Sequence, residues 1–132
     1  MENKELIKLA RQAKQNAYAP YSKYKVGCAV LCENGEIVTG CNVENIAGTS
    51  NCAERTAIFS AVSKGYKIKA MAVVGNEQEI CYPCGTCRQV IIEHNSDAIV
   101  ICAKNENEFE TYSIKDLLPN AFYPNMLIKK GK

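Results

Sequence analysis

Asn51-Cys52-Ala53-Glu54-Arg55 and Pro83-Cys84-Gly85-Thr86-Cys87 are the two stretches of this 132-residue chain whose side chains could carry out a reaction. Thiolates are metal ligands, and Cys84 and Cys87 stand three positions apart, a spacing that puts both on one side of a first helical turn. Cys52 offers a third sulfur. Three donors is the informative number, because structural zinc sites are closed tetrahedra while catalytic ones leave a position for water. Water on zinc ionises near pH ~7 rather than ~15.7, and Glu54, two residues after Cys52, is a carboxylate suited to take that proton and hand it on. Three thiolates also leave a divalent ion with excess negative charge, which blunts it as a Lewis acid. Arg55 and Arg88, each beside a cluster, are candidates to offset that excess, with an ordinary surface ion pair as the competing reading.

Cys81 opens a rival. With Cys84 and Cys87 it forms a C-x2-C-x2-C run that, together with Cys52, could close a structural zinc site or hold an iron–sulfur cluster, making the chain a non-catalytic metal module. Against this, Tyr82-Pro83 imposes an extended approach that sets Cys81 before the turn, and a closed site gives Glu54 no task. His94, the one histidine, reads as a helix-terminal polar residue and not as a ligand.

The elements that must position these residues follow from periodicity. Lys4 to Ala17 carries Leu6, Ile7, Ala10, Ala13 and Ala17 at helical spacing, and Pro20 stops it. Lys25 to Cys32 and Ile37 to Cys41 read as antiparallel strands joined by a turn containing Asn34-Gly35. Cys52 to Lys64 reads as a helix with Ala57, Ile58, Ala61 and Val62 on one face, stopping at Gly65. A strand over Ile68 to Gly75, a helix from Pro83 through His94 and a strand over Ala98 to Cys102 complete a strand–helix–strand series. A weaker strand at Phe109 to Tyr112 and a short helix from Ser113 to Leu118 follow. Right-handed crossovers start both long helices at the carboxyl edge of the sheet, so Cys52, Cys84 and Cys87 are expected to converge where open α/β sheets bind ligands. Helix amino termini favour thiolates there.

Composition sets the bounds. The length and a 47% hydrophobic content suit one domain over residues 1–132. Sixteen basic against fourteen acidic residues give only +2, which argues against a nucleic-acid partner. No segment approaches the ~18 apolar residues of a membrane helix and no export signal is evident, so no membrane association and a cytoplasmic protein are expected. Eight cysteines in such a chain read as reduced thiols and ligands, with Cys28, Cys32, Cys41 and Cys102 as core residues.

The segments PYSKYKVG, GCNVEN, NCAERTAI, PCGTCRQV and LLPNAF, in that order, resemble the small, homotetrameric, three-cysteine cytidine deaminases over most of the chain. The resemblance implies a three-layer α/β/α fold around a mixed five-stranded sheet, one Zn2+ per chain on Cys52, Cys84 and Cys87, and hydrolysis of cytidine and deoxycytidine in pyrimidine salvage. It implies water addition at C4 of the base with Glu54 protonating N3 and then the departing amino group. It assigns Asn42 and Glu44 to the ribose hydroxyls, the Ala53 backbone to the base, and Phe122 to the site of a neighbouring subunit. By residue type alone, Asn42 and Glu44 are ordinary loop polarity and Phe122 is a core residue. Tyr24 stands where the family commonly has phenylalanine and adds a hydroxyl that needs a partner. The loop Asn45 to Asn51 is about one residue shorter than the family pattern and lacks its tyrosine, which bears on substrate preference. A deaminase of another aminopyrimidine compound such as blasticidin S is the nearest rival, and Asn42 and Glu44 argue for a ribose.

Overall fold

A computed structural model describes residues 1–127; residues 128–132 of the expected domain lie outside the described residues. Helix α1 spans Asn3–Lys14, and the chain then enters β1 (Gly27–Cys32) and β2 (Ile37–Cys41). After a loop come α2 (Ala53–Ser63), β3 (Ile68–Val74), α3 (Gly85–His94), β4 (Ile99–Ala103) and β5 (Phe109–Ser113), followed by the short helices α4 (Ile114–Leu117) and α5 (Pro124–Leu127). The five strands form one sheet in the order β2-β1-β3-β4-β5. Only β3 and β4 pair in parallel; β1 is antiparallel to both its neighbours and β4 to β5. With β1 between them, β2 and β3 therefore run the same way, and the helices that follow them start at the same sheet edge.

Strand alternation separates two cores. Cys28, Val30 and Cys32 of β1, with Val100 and Cys102 of β4, face Ala57, Ile58, Ile91 and Ile92 of α2 and α3. Ala29, Ile101 and Ala103 face Leu6, Ile7 and Ala10 of α1 on the other side. The result is the expected three-layer α/β/α arrangement with a mixed five-stranded sheet. Burying a side chain such as Ile7 is worth roughly 1.5–3 kcal/mol, which is how a short amphipathic helix is held on its sheet.

Three expectations need correction. Cys41 lies on edge strand β2 and is only half-buried, because an edge strand lacks one neighbour to cover it. Val62 of α2 is exposed, as is Phe59; Ala57, Ile58 and Ala61 are the residues turned toward the sheet. Helix α1 stops at Lys14, and residues 15 and 16 continue as a turn, with the Asn16 N–H on Ala13 O. Helix α5 carried no periodic signal in the sequence. One close approach fixes the site's geometry: a Cβ on Gly40 would lie 2.6 Å from the Ala57 nitrogen and 2.9 Å from Ala53 O, so glycine lets β2 press against the first turns of α2.

Candidate metal centre and pocket

Cys52 occupies the N-cap of α2 and Cys84 the N-cap of α3. Caps are usually Ser, Thr, Asp or Asn, whose side chains fold back onto free N–H groups. Neither cysteine does so, and each sulfur is left to meet the other helix. The Cys52 and Cys84 sulfurs stand 3.9 Å apart, and with that of Cys87 all lie within 4.8 Å of one another. Sulfurs bound at about 2.3 Å to a tetrahedral ion stand about 3.8 Å apart, so this set fits zinc with little movement. Among the described residues it is the group of His, Cys, Asp and Glu side chains close enough to hold an ion, and Cys81 is outside it.

Cys81 is instead built into the protein. Its N–H donates to Ala103 O at 3.2 Å. Burial is the main reason its thiol is pushed up to about 12, and the Tyr24 hydroxyl lies beside it. Cys81 lies outside the group that the Cys52, Cys84 and Cys87 sulfurs form, and on that geometry the four-cysteine reading falls. Cys52 is the opposite case: the hydrogen bond with Cys87 and the neighbouring Arg55 guanidinium bring it down to about 5, while Cys87, sharing that proton and buried, is raised.

Arg55 Nη2 reaches Cys52 Sγ at 3.3 Å, so one of the two arginines does face the sulfur charge. Arg88 does not. Its Nε donates to Pro83 O at 2.8 Å and its Nη1 to Leu117 O at 2.9 Å, tying the turn before α3 to the end of α4.

Glu54 sits in the first turn of α2, 3% exposed. Burial first, and then the Cys52 sulfur, push its carboxyl up to about 7, against the pull of its own backbone N–H and Arg55. A carboxyl poised near neutrality can both take and give a proton.

Cys52, Cys84 and Glu54 open onto a cavity of about 480 Å³, within the range of small-molecule sites, while Cys87 is buried behind them. Tyr24, Asn42 and Ala53 line it. Asn42 is buried, with its Oδ1 accepting from the Val26 N–H at 2.9 Å and its Nδ2 donating to Tyr24 O at 2.8 Å. Glu44 lies outside the lining: it accepts from the N–H groups of Tyr21 and Ser22 at 3.0 and 3.1 Å and from the Ser22 hydroxyl, which holds its carboxylate below the usual range. None of residues 45–51 lines the cavity. Phe122 is 52% exposed and away from this chain's own pocket, so it is not the core residue its residue type suggests.

Sequence reasoning missed Ser22, Val26, Glu79, Ile80 and Tyr82, which also line the cavity. Glu79, Ile80 and Tyr82 follow β3 on its way to α3, and position at that sheet edge was the available signal.

A glutamate on a helix two residues past the first sulfur, with P-C-x-x-C opening the next helix, puts the molecule in the class of zinc-dependent deaminases. The comparisons agree. A family model described as the cytidine and deoxycytidylate deaminase zinc-binding region matches residues 1–103. A cytidine deaminase of Sporosarcina psychrophila is 45% identical over 125 residues, covering 92% of each chain. The crystal structure of cytidine deaminase from Burkholderia pseudomallei superposes with a TM-score of 0.87 at 44% identity, covering 92% of this chain and 100% of that one. That of Mycobacterium tuberculosis gives 0.81 at 37% identity, covering 92% and 98%. The chain belongs to the cytidine and deoxycytidylate deaminase family, and zinc is the metal that its three-sulfur centre takes.

Proposed function

We propose that this chain, as one domain over residues 1–132, hydrolyses cytidine and deoxycytidine to uridine and deoxyuridine with release of ammonia. The observation that carries the reading is Glu54, buried at the first turn of α2 beside the three sulfurs. Cys52, Cys84 and Cys87 hold one zinc ion. When bound, zinc supplies the Lewis acidity that makes water a nucleophile near neutral pH. Glu54 would take one proton from the attacking water and deliver it to N3 of the pyrimidine, then take the second from the hydroxyl added at C4 and pass it to the amino group, which leaves as ammonia. Arg55 offsets part of the sulfur charge by its contact to Cys52. Tyr24 packs on the base and the Ala53 backbone meets it.

Asn42 and Glu44 are assigned to the ribose hydroxyls. Both are already bonded within the protein, but an amide and a carboxylate each keep further hydrogen-bonding capacity. No lysine, arginine or histidine lines the cavity among the described residues, which suits an uncharged nucleoside and not a phosphorylated one.

Phe122, Phe59 and Leu127 expose large apolar side chains, which supports a homotetramer in which Phe122 enters a neighbouring subunit's site. No helix among the described residues is long and apolar enough to cross a membrane. A cytoplasmic role in pyrimidine salvage is the corresponding reading.

The test is an ultraviolet absorbance assay on zinc-loaded protein with cytidine, deoxycytidine and blasticidin S side by side. Loss of the cytidine and deoxycytidine bands is expected. Turnover of blasticidin S alone, or of none of the three with zinc bound, rejects the reading.

A further inference from the structure

Glu79, Ile80, Cys81, Tyr82 and Cys84 all reach the pocket from one segment, the connection between β3 and α3. A stretch of chain with no helix or strand of its own does not set its own path, so its contacts must. Its later residues are held at Cys81 and Pro83, by Ala103 O and Arg88, and its first residues are held from α1. Gly75 O accepts from Lys14 Nζ, on the last residue of α1, at 2.8 Å. The same ammonium pairs with Glu77 Oε2 at 2.6 Å, and Glu77 Oε1 faces Arg11 Nε at 2.9 Å. Glu77 needs that hold, since its φ of 67° lies in the left-handed region that non-glycine residues keep only where their surroundings impose it.

Tyr24 closes on the same residue from the pocket side. A Cβ on Gly75 would lie 2.3 Å from the Tyr24 phenol oxygen, 2.8 Å from Cζ and 2.9 Å from Cε1. Gly75 is not among the glycines with positive φ, so a side chain here is opposed by the Tyr24 ring, which would have to shift, and not by the backbone conformation. The phenol hydroxyl in turn lies against the Asn76 backbone N–H and the Cys81 thiol. The hydroxyl that distinguishes Tyr24 from phenylalanine thus lies near both Asn76 and Cys81 of the segment.

We propose that Gly75 is a positioning residue for the substrate pocket. It admits the Tyr24 ring against the end of β3 while Lys14 holds its carbonyl, and so fixes the wall made by Tyr24, Ile80 and Cys81. The effect on substrate rests on the cytidine deaminase reading; the Gly75–Tyr24 contact does not.

A four-protein cycle tests it: parent, Gly75→Ala, Tyr24→Ala and the double variant, each measured for zinc content, urea unfolding, kcat and KM with cytidine. Gly75→Ala is expected to keep its zinc, to keep kcat within about threefold and to raise KM about tenfold, because a displaced wall weakens substrate positioning. In the Tyr24→Ala background the same change is expected to move KM by less than about twofold, since no ring remains to be displaced. Additive KM effects, or an unchanged KM in Gly75→Ala, overturn the proposal. If Gly75→Ala does not fold, Lys14→Met reads the outer half of the device: KM raised about threefold at constant kcat supports it, and an unchanged KM overturns it. If the zinc-loaded parent fails to deaminate cytidine, the functional reading is what fails. Unfolding then decides the contact: a larger midpoint loss from Gly75→Ala in the parent than in Tyr24→Ala sustains it, and equal losses refute it.

Discussion

Two concavities of similar size sit at opposite ends of the sheet, about 480 Å³ beside the sulfurs and about 540 Å³ between Glu33, Tyr66, Lys67, Glu93 and His94. Volume does not separate them. Both lie where α2 and α3 come together, but the first meets their amino termini and the second their carboxyl termini, around Gly65 and Asn95. Helix starts present free N–H groups and partial positive charge, which stabilise ionised sulfur; helix ends present carbonyls, which suit a cation or a histidine. Glu33, Glu93 and His94 would be a ligand set by residue type, yet among the described residues they do not approach closely enough to form one. Convergence of donors on a favourable helix pole, and not the presence of a cleft, is what makes one end a site.

The largest expected break in that comparison is Glu54→Gln. The amide keeps the shape and cannot carry the proton, so kcat should fall by about 10²–10⁴ while zinc content stays at the parent level. Equal turnover in the absorbance assay would remove Glu54 from the mechanism. Next, Cys87→Ser should lose the metal and, with it, about 2.7–4.1 kcal/mol of unfolding free energy at free zinc 100 to 1,000 times the dissociation constant. Cys81→Ser should retain the metal, because Cys81 is outside the ligand group. Metal analysis with thermal unfolding distinguishes the two, and a Cys81→Ser protein lacking zinc would restore the four-cysteine site.

Gly40→Ala tests the packing that delivers α2 to its place. The new methyl group would meet the Ala57 nitrogen at 2.6 Å, backbone that cannot step aside cheaply. A loss of about 1–3 kcal/mol in urea unfolding is expected, and parental stability would show that β2 and α2 are less closely fitted than drawn.

Much of this was legible in the sequence because its signals are local. The Ile37 to Cys41 strand has the predicted bounds, and Cys52, Cys84 and Cys87 meet as helix polarity and crossover handedness require. What was not legible depends on tertiary neighbours. Cys41 has the composition of a core strand and becomes half-buried only because β2 is an edge. Arg88 stands beside a ligand in sequence, yet the carbonyls of Pro83 and Leu117 capture it. Gly75 and Gly40 carry no positional signal until Tyr24 and Ala57 are brought against them.

A smaller effect is expected from acid. Lys14, first through its hydrogen bond, and Arg11 hold the Glu77 carboxylate below its ordinary range. A depressed carboxylate contributes stability that is fully present above its unfolded value, about 4.3, and is lost as pH falls through the lower folded value. Glu77→Gln should therefore flatten the acid limb of stability below about pH 4.3 and cost under about 1 kcal/mol at neutral pH, since the pair is partly exposed and screened. An unchanged acid limb would show the pairs to be energetically idle.

The smallest expected change sits at the other end of the sheet. His94 closes α3 in its last turn, exposed and without a side-chain partner among the hydrogen bonds of the described residues. A neutral substitution there leaves the sulfurs, Glu54 and the pocket wall untouched. His94→Ala should keep zinc content, kcat and KM at parental values and shift stability by no more than about 0.5 kcal/mol. A loss of turnover in this variant would mean that the second concavity communicates with the first. The polarity of the two helices would then be insufficient to account for where the chemistry lies.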